Sequence, residues 1–557
     1  MIKCRLGAKI NANAGEIMSN KIVRGTILLT GASFLSKFLG MIYVIPFHAL
    51  VGETGGTLFS FAYTPYSIFI SMSTIGVPLA VSKFVAKYNS LDDYQTGMRM
   101  FKAGIALMAI TGFLAFLILF FSAEKLAAGM ITSNNPDQIT VNDVAHVIRM
   151  VSFALIIIPS MSIVRGFFQG YNSMGPTAVS QVVEQIVRIV FLLGGSLVIL
   201  KVFGGTITAA VGFSTFAAFI GALASSLVLY IYWVKRKPHL VKLQEQQKSA
   251  HDISLKELFI ELFRYAGPFV LVGLAIPLYQ LTDQFTFERA MVAIGKDDVW
   301  EYAYAAINFY GHKIAIIPIT LATGLSIASL PALTKSFTEN NRTLLKKQIN
   351  QAIQIILLLV IPAVIGLVML SDEAYGSLYG LDNIEVTGTL LAWYAPVALL
   401  FALFSVTSSI LQGINEQRFA VIHLLAGLLL KILFNIQLIH MFGAKGAIFG
   451  TAIAAGTAVA LNLWRIKRSV YFSYKQIFKR TALIGIFTII MVITIVLLKA
   501  VFGLFIPYEE TRWGAVLMLS INVTIAGGVY LVLSYKSTLL ERVLGSRIPV
   551  LDRFIRR

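Results

Sequence analysis

Residues 22–50 read IVRGTILLTGASFLSKFLGMIYVIPFHAL, a run long and apolar enough to cross a bilayer that still carries Lys37 at its centre. A transmembrane helix needs roughly 20 mostly apolar residues. An ammonium at mid-depth costs about 2.5 kcal/mol or more unless it faces a wet or protein-lined interior. Snorkelling to a headgroup is the bland alternative, but more than ten residues flank Lys37 on either side, beyond the reach of a four-carbon stem. The stretch therefore predicts one helix of a bundle whose lysine faces a polar cavity, and asks which anion that lysine meets.

Composition agrees. The 557-residue chain is 57% hydrophobic and 13% charged, with a mean hydropathy of +0.78, where a soluble domain carries about 25% charged residues. Most of its length belongs in lipid, and the fold class is an all-α polytopic membrane protein. The net charge of +19 does not indicate nucleic acid, because the basic residues sit in connections between apolar runs. Cys4 is the only cysteine, so no internal disulfide forms; no Cys/His spacing suggests a metal, and no cofactor is expected. Residues 1–21 are polar and basic without the apolar core of a secretory signal. The first span is expected to act as the signal, and Met18 is a candidate natural start that would make residues 1–17 dispensable.

Fourteen spans are expected: 22–50, 57–82, 100–122, 145–168, 177–200, 207–234, 265–290, 302–328, 350–371, 388–412, 418–441, 445–465, 480–503 and 514–535. Connections after even spans are basic, for example Lys83 and Lys87, Lys235-Arg236-Lys237, Lys346-Lys347, and Lys467-Arg468 with Lys479-Arg480. Those after odd spans are poor in basic residues and often acidic, as in VGETGG at 51–56. By the positive-inside rule both termini are cytoplasmic.

An internal repeat sharpens the fold. Gln169-Gly170-Tyr171-Asn172 after span four is echoed by Gln412-Gly413-Ile414-Asn415 after span ten, and Phe203-Gly204 by Phe442-Gly443. Arg188 and Lys431 follow their Gln-Gly pairs at the same distance. The offset of about 240 residues maps spans one to six onto seven to twelve, a parallel repeat about an axis along the membrane normal. The expected organisation is a cytoplasmic segment 1–21, an N-lobe 22–234, a linker 235–264 with an amphipathic surface run SLKELFIELFRY, a C-lobe 265–466, an extra helix pair within 467–535, and a basic tail 536–557.

The candidate site is the set of ionisable residues inside spans: Lys37, Glu184, Arg188, Asp283, His312, Lys313 and Lys431, with Arg24, Arg165, Glu288 and Arg289 near span ends. Glu184 and Arg188, four apart, read most simply as a self-contained ion pair. Arg24, Arg165 and Arg289 read most simply as interfacial anchors. Lys37 and Lys313 have no acidic residue one turn away and stand out. The set is net basic, which favours an anionic substrate, and phosphate suits lysine and arginine alike. Outward movement of an anion from an inside-negative cell gains about 2.3 kcal/mol per charge per 100 mV. No phosphate-cradling nucleotide motif is present, nor a nucleophile–base constellation, so no enzyme is indicated.

Ser36-Lys37-Phe38-Leu39-Gly40 resembles the Ser-Arg-x-Leu-Gly motif of the MurJ lipid II flippases. Lys313-Ile314-Ala315-Ile316-Ile317-Pro318, followed by Ser329-Leu330-Pro331-Ala332-Leu333-Thr334-Lys335-Ser336-Phe337, resembles that family's span-eight stretch. The chain is also similar to the wider polysaccharide-exporter branch of the multidrug/oligosaccharidyl-lipid/polysaccharide superfamily. The resemblance implies two six-helix lobes, a basic cavity for the lipid II diphosphate, and a hydrophobic groove at spans thirteen and fourteen for the lipid tail. It places Lys37 and Lys313 at essential arginine positions, which retains charge but not a bidentate fork. The sequence departs from the family at Tyr43, where a further arginine is expected, and near Thr57, where an acidic residue is expected.

The expected function, as the resemblance implies, is a flippase carrying the undecaprenyl-diphosphate-linked peptidoglycan precursor, lipid II, from inner to outer leaflet by alternating access, with Lys37 and Lys313 on the diphosphate, helped by Arg188, Lys431, Arg24 and Arg165. Asp283, Glu184, His312, Glu288 and Arg289 are the polar partners or ion-coupling groups. Expected partners are that lipid-linked glycan, membrane lipid, a coupling ion (Na+ or H+) or the membrane potential, and cell-wall synthesis enzymes, with no nucleic acid. The alternatives are a flippase for another polyprenyl-linked glycan, a cation-coupled small-molecule exporter, and a non-transporting scaffold.

Overall fold

The computed structural model describes residues 28–74, 77–132, 138–245 and 270–544, with a few isolated positions between 247 and 267. No strand occurs among them. The chain forms two compact units, Met1–Gly129 with Asn135–Pro277, and Met130–Asn134 with Leu278–Arg557.

The first unit contains α1 (Leu28–Ile42), α2 (Val44–Thr74), α3 (Val77–Ser90), α4 (Tyr94–Met130), α5 (Val141–Ser152), α6 (Ala154–Gly170), α7 (Met174–Leu197) and α8 (Ile207–Glu245). The second contains α9 (Ala275–Ala293), α10 (Trp300–Ala305), α11 (Gly311–Thr338), α12 (Arg342–Met369), α13 (Ser371–Tyr379), α14 (Ile384–Gly413), α15 (Gln417–Phe442), α16 (Ala444–Val470), α17 (Lys475–Phe502), α18 (Arg512–Lys536) and α19 (Leu539–Leu544). Capping follows local sequence. Thr140 and Asp143 form a reciprocal capping box on α5, and Asn341 and Thr511 accept from Leu344 and Gly514 at the starts of α12 and α18.

Ten helices among the described residues are long and apolar enough to cross a membrane, or eleven when the bent pair Leu28–Ile42 and Val44–Met72 is one span. This is a multi-pass membrane protein, and the ten helices correspond to expected spans three to six and nine to fourteen. Expected spans one, seven and eight are helical yet interrupted among the described residues. Span one bends by 40° between α1 and α2. α2 is itself two helices that meet at Gly52, inside the connection expected at 51–56, and its φ of 64° and ψ of −162° suit only glycine. Span seven is broken by a turn at Leu274 between helical residues 270–273 and α9, and α9 is diluted by Gln280, Asp283, Gln284 and Glu288. Span eight passes from α10 through a π-helical turn, Ala306–Tyr310, into α11. Gly311 lies against the Ala306 carbonyl there, where a Cβ would collide. Widened turns of this kind recur at functional sites.

The expected linker needs a second correction. α8 runs on unbroken through Lys235 and Pro238 to Glu245, so the chain beyond span six begins as helix rather than as a loop. Most of the amphipathic run at 254–265 lies outside the described residues, as do residues 1–21 and the tail beyond 544.

The repeat is visible inside each unit. Asn172 and Asn415 both adopt left-handed backbone (φ 55° and 60°) after their Gln-Gly pairs. Both turns are closed alike, by Ser173 N–H to Phe168 O (2.9 Å) and by Glu416 N–H to Leu411 O (2.7 Å). Gly204 and Gly443 share a φ of 61°. In the first unit the basic end is a core of Val81, Phe84, Tyr88, Phe101 and Phe167, with Trp233 against it. In the second, α17 and α18 dock on α12 and α13: Tyr530 Oη donates to Leu358 O (2.8 Å), and Lys499 pairs with the buried Glu373 (2.6 Å).

Candidate functional site

Each unit builds its own polar cluster inside apolar surroundings. In the first, helical spacing puts Ser33, Ser36, Lys37 and Gly40 on one face of α1, away from the exposed Phe34, Leu35, Phe38 and Ile42. That polar face meets α7. Ser33 Oγ donates to Gln181 Oε1 (3.2 Å), and Gly40 lies against the Gln185 amide. Lys37 sits between these two contacts and is exposed. α7 presents Gln181, Glu184, Gln185 and Arg188 at the same helical spacing.

Glu184 and Arg188 do not form the self-contained pair expected from their spacing. Glu184 instead accepts from Arg165 Nη2 (2.6 Å), whose guanidinium also donates to Ser180 Oγ (3.0 Å) and Ser225 Oγ (2.8 Å). Arg165 is therefore no simple interfacial anchor: it ties α6, α7 and α8 together. A fork with several donors satisfies more acceptors than one contact along a helix can. Arg188 is released to a cage of tyrosines. Its guanidinium lies 5.3 Å from the Tyr63 ring and is hydrogen-bonded to that residue, with Tyr43 and Tyr66 close by. Its buried Nε has no hydrogen-bond partner among the described residues.

In the second unit Asp283 of α9 and Lys431 of α15 are brought together at 2.8 Å, with exposures of 2% and 0%. Lys431 Nζ also donates to Thr451 Oγ1 (2.6 Å) on α16, and Asn435 Nδ2 donates to Asp283 Oδ1 (3.0 Å) and Thr286 Oγ1 (2.7 Å). Lys431 is thus enclosed and engaged rather than offered to a ligand in this arrangement. The matched positions Arg188 and Lys431 are not equivalent, since only the second finds a carboxylate.

Lys313 is half-buried at the start of α11, one turn beyond the π-helical turn, with its ammonium 5.9 Å from the Phe309 ring. His312 Nδ1 pairs with Tyr394 Oη (2.8 Å) in the interior. Glu288 is buried and accepts from Thr132 N–H (3.1 Å) and Thr132 Oγ1 (2.7 Å), whereas Arg289 is exposed. Arg24 lies outside the described residues. Sequence reading missed Tyr63, Tyr66, Gln181, Gln185, Asn435 and Thr451. Polar residues four apart within an apolar span, such as Lys431 with Asn435, were the available signal.

Comparisons with known proteins agree with this architecture. A family described as "Polysaccharide biosynthesis protein" matches residues 22–337, and one described as "MatE" matches residues 302–437. The Bacillus subtilis (strain 168) protein named "Lipid II flippase MurJ" is 46% identical over 534 residues, 96% of this chain and 98% of that protein. "Stage V sporulation protein B" of the same organism is 24% identical over 79% of this chain and 81% of its own. A solved structure of "Lipid II flippase MurJ, inward closed conformation" superposes with a TM-score of 0.66 at 17% identity, covering 93% of this chain and 99% of that one, which bears on the fold alone. The chain belongs to the polysaccharide biosynthesis protein family and, within it, to the MurJ branch.

Proposed function

We propose that this protein is a lipid II flippase, a transporter that moves the undecaprenyl-diphosphate-linked peptidoglycan precursor from the inner to the outer leaflet of a bacterial plasma membrane by alternating access. The observation that carries the reading is the placement of Lys37 and Lys313 on interrupted helices, one in each repeat. Discontinuous helices contributed by the two repeats are where transporters build their substrate sites. The near-full-length similarity to a protein named for lipid II supplies the substrate.

On this reading Lys37 and Lys313 meet the diphosphate, and Arg188, held by tyrosines rather than by a carboxylate, adds positive charge. Arg165 with Glu184, and Lys431 with Asp283, hold the helices that carry them. Residues 22–234 form one lobe and 265–466 the other, 467–535 guide the lipid tail, and both termini are cytoplasmic. Cell-wall synthesis enzymes are the proposed neighbours. Membrane potential is a sufficient drive for a doubly charged headgroup. A cation-coupled exporter is disfavoured by Asp283, because the ammonium of Lys431 already neutralises it.

The test is depletion of the protein in cells that hold it as sole copy, followed by assay of the lipid-linked precursor on the inner leaflet. Lipid II is expected to accumulate there. Accumulation of a different polyprenyl-linked glycan, with normal lipid II turnover, would overturn the assignment.

A further inference from the structure

The short helix α13 is gripped at both ends by the extra helix pair of the second unit. At its first turn the buried Glu373 takes the ammonium of Lys499 on α17 (2.6 Å). At its last turn Arg512, the first residue of α18, donates from Nε to Ser377 O (3.1 Å) and from Nη2 to Leu378 O (2.8 Å). The final carbonyls of a helix have no intrahelical N–H to accept from, and a cation there suits the backbone dipole. The planar fork of Arg512 reaches two of them at once.

The next residue carries the contact inward. Tyr379 is buried, its ring lies 4.8 Å from that of Tyr310, and its hydroxyl donates to the Tyr310 carbonyl (3.4 Å). Tyr375, one turn earlier on α13, backs it with 5.1 Å between ring centroids. Tyr310 closes the π-helical turn, its ring packs on Phe309 at 4.9 Å, and Phe309 faces the Lys313 ammonium at 5.9 Å. A line of contacts therefore runs from Arg512 to Lys313. What it holds is a backbone with a discrete alternative. A π-helical turn contains one residue more than an α turn, and regularising it would rotate α11 against α10 by about 100°, at 3.6 residues per turn. Lys313 would then leave the face it occupies.

We infer that α17 and α18 fix the position of Lys313 through α13, with Arg512 and Tyr379 as positioning residues. The inference rests on the transport reading of Lys313 above, and it joins the helices assigned to the lipid tail to the cation assigned to the diphosphate.

Hydrogen exchange read by mass spectrometry on the full chain in detergent tests this, comparing wild type with Arg512→Gln and Tyr379→Leu. Amides of residues 306–313 are expected to exchange about fivefold faster in both variants, the effect of losing one hydrogen bond in a local opening. Arg512 is exposed, so Arg512→Gln should keep the wild-type melting temperature. Export of whichever precursor the depletion test identifies should fall in cells holding either variant as sole copy. Faster exchange confined to 371–379 in Arg512→Gln would overturn the inference, because α13 then transmits nothing. Acceleration spread evenly over the second unit would overturn it too, by assigning these contacts to general stability. Wild-type export alongside the expected exchange would also do so, by separating the turn from transport. Exchange does not depend on what is carried, so its failure is distinct from accumulation of another glycan on depletion.

Discussion

Lys431 shows how a buried charge in an apolar span can be structural rather than functional. Its ammonium is taken up by Asp283 and Thr451, and Asn435 occupies the other carboxylate oxygen. Removing one partner of such a pair leaves an uncompensated charge, which costs about 3–5 kcal/mol, whereas replacing both by apolar groups is often near neutral. Lys431→Met should therefore lower the melting temperature sharply, and Asp283→Leu with Lys431→Met should recover most of the loss. A double variant as unstable as the single one would show that the pair does more than balance charge. Lys37 and Lys313 are of the other kind. Only their charge is assigned a role, so Lys37→Arg and Lys313→Arg should support growth as sole copies. Asp372 offers a test outside the membrane spans. Burial pushes its carboxyl above the usual aspartate range, the neighbouring Glu373 adds to the rise, and Lys499 opposes it. The folded state therefore holds this proton more tightly than the unfolded chain. That contribution is present below the ordinary aspartate value and is lost as pH rises through the raised one. Asp372→Asn should gain melting temperature over wild type as pH is raised from about 4 to 7. A difference independent of pH would contradict the assignment.

At the scale of elements, the interrupted helices separate what sequence showed from what it hid. Hydropathy alone located the ten spans that are long and apolar enough to cross, because each needs only a sustained apolar run. It read spans one, seven and eight as ordinary too, since a window average cannot register a bend beside Tyr43, a turn at Leu274 or a π-helical turn before Gly311. The Gln-Gly repeats were legible, and their structural meaning is the left-handed asparagine two residues after each Gly. Pairing was the least legible feature. Arg165 reaches Glu184 across 19 positions of sequence and Lys431 reaches Asp283 across 148, distances at which local spacing rules say nothing. Gly52→Ala probes the element scale directly. A side chain at that backbone conformation costs about 1–3 kcal/mol, so the variant should melt earlier, while Gly31→Ala, with open space around it, should not. Equal stability of the two variants would mean that the break at Gly52 is not fixed by backbone conformation.

At the scale of the whole molecule, the central claim is that cations on the broken helices of each repeat offset the diphosphate of a lipid-borne headgroup during its passage. Enclosed pairs such as Arg165–Glu184 and Lys431–Asp283 keep the scaffold in register, and the tyrosine-held Arg188 supplies charge without a permanent counterion. The measurement that bears on this most directly is the appearance of lipid II on the outer leaflet of cells whose only copy carries Lys37→Ala or Lys313→Ala, at wild-type expression. Outward appearance is expected to stop and the precursor to accumulate inside, with Lys→Arg restoring it at either position. Normal outward appearance in both alanine variants would contradict it.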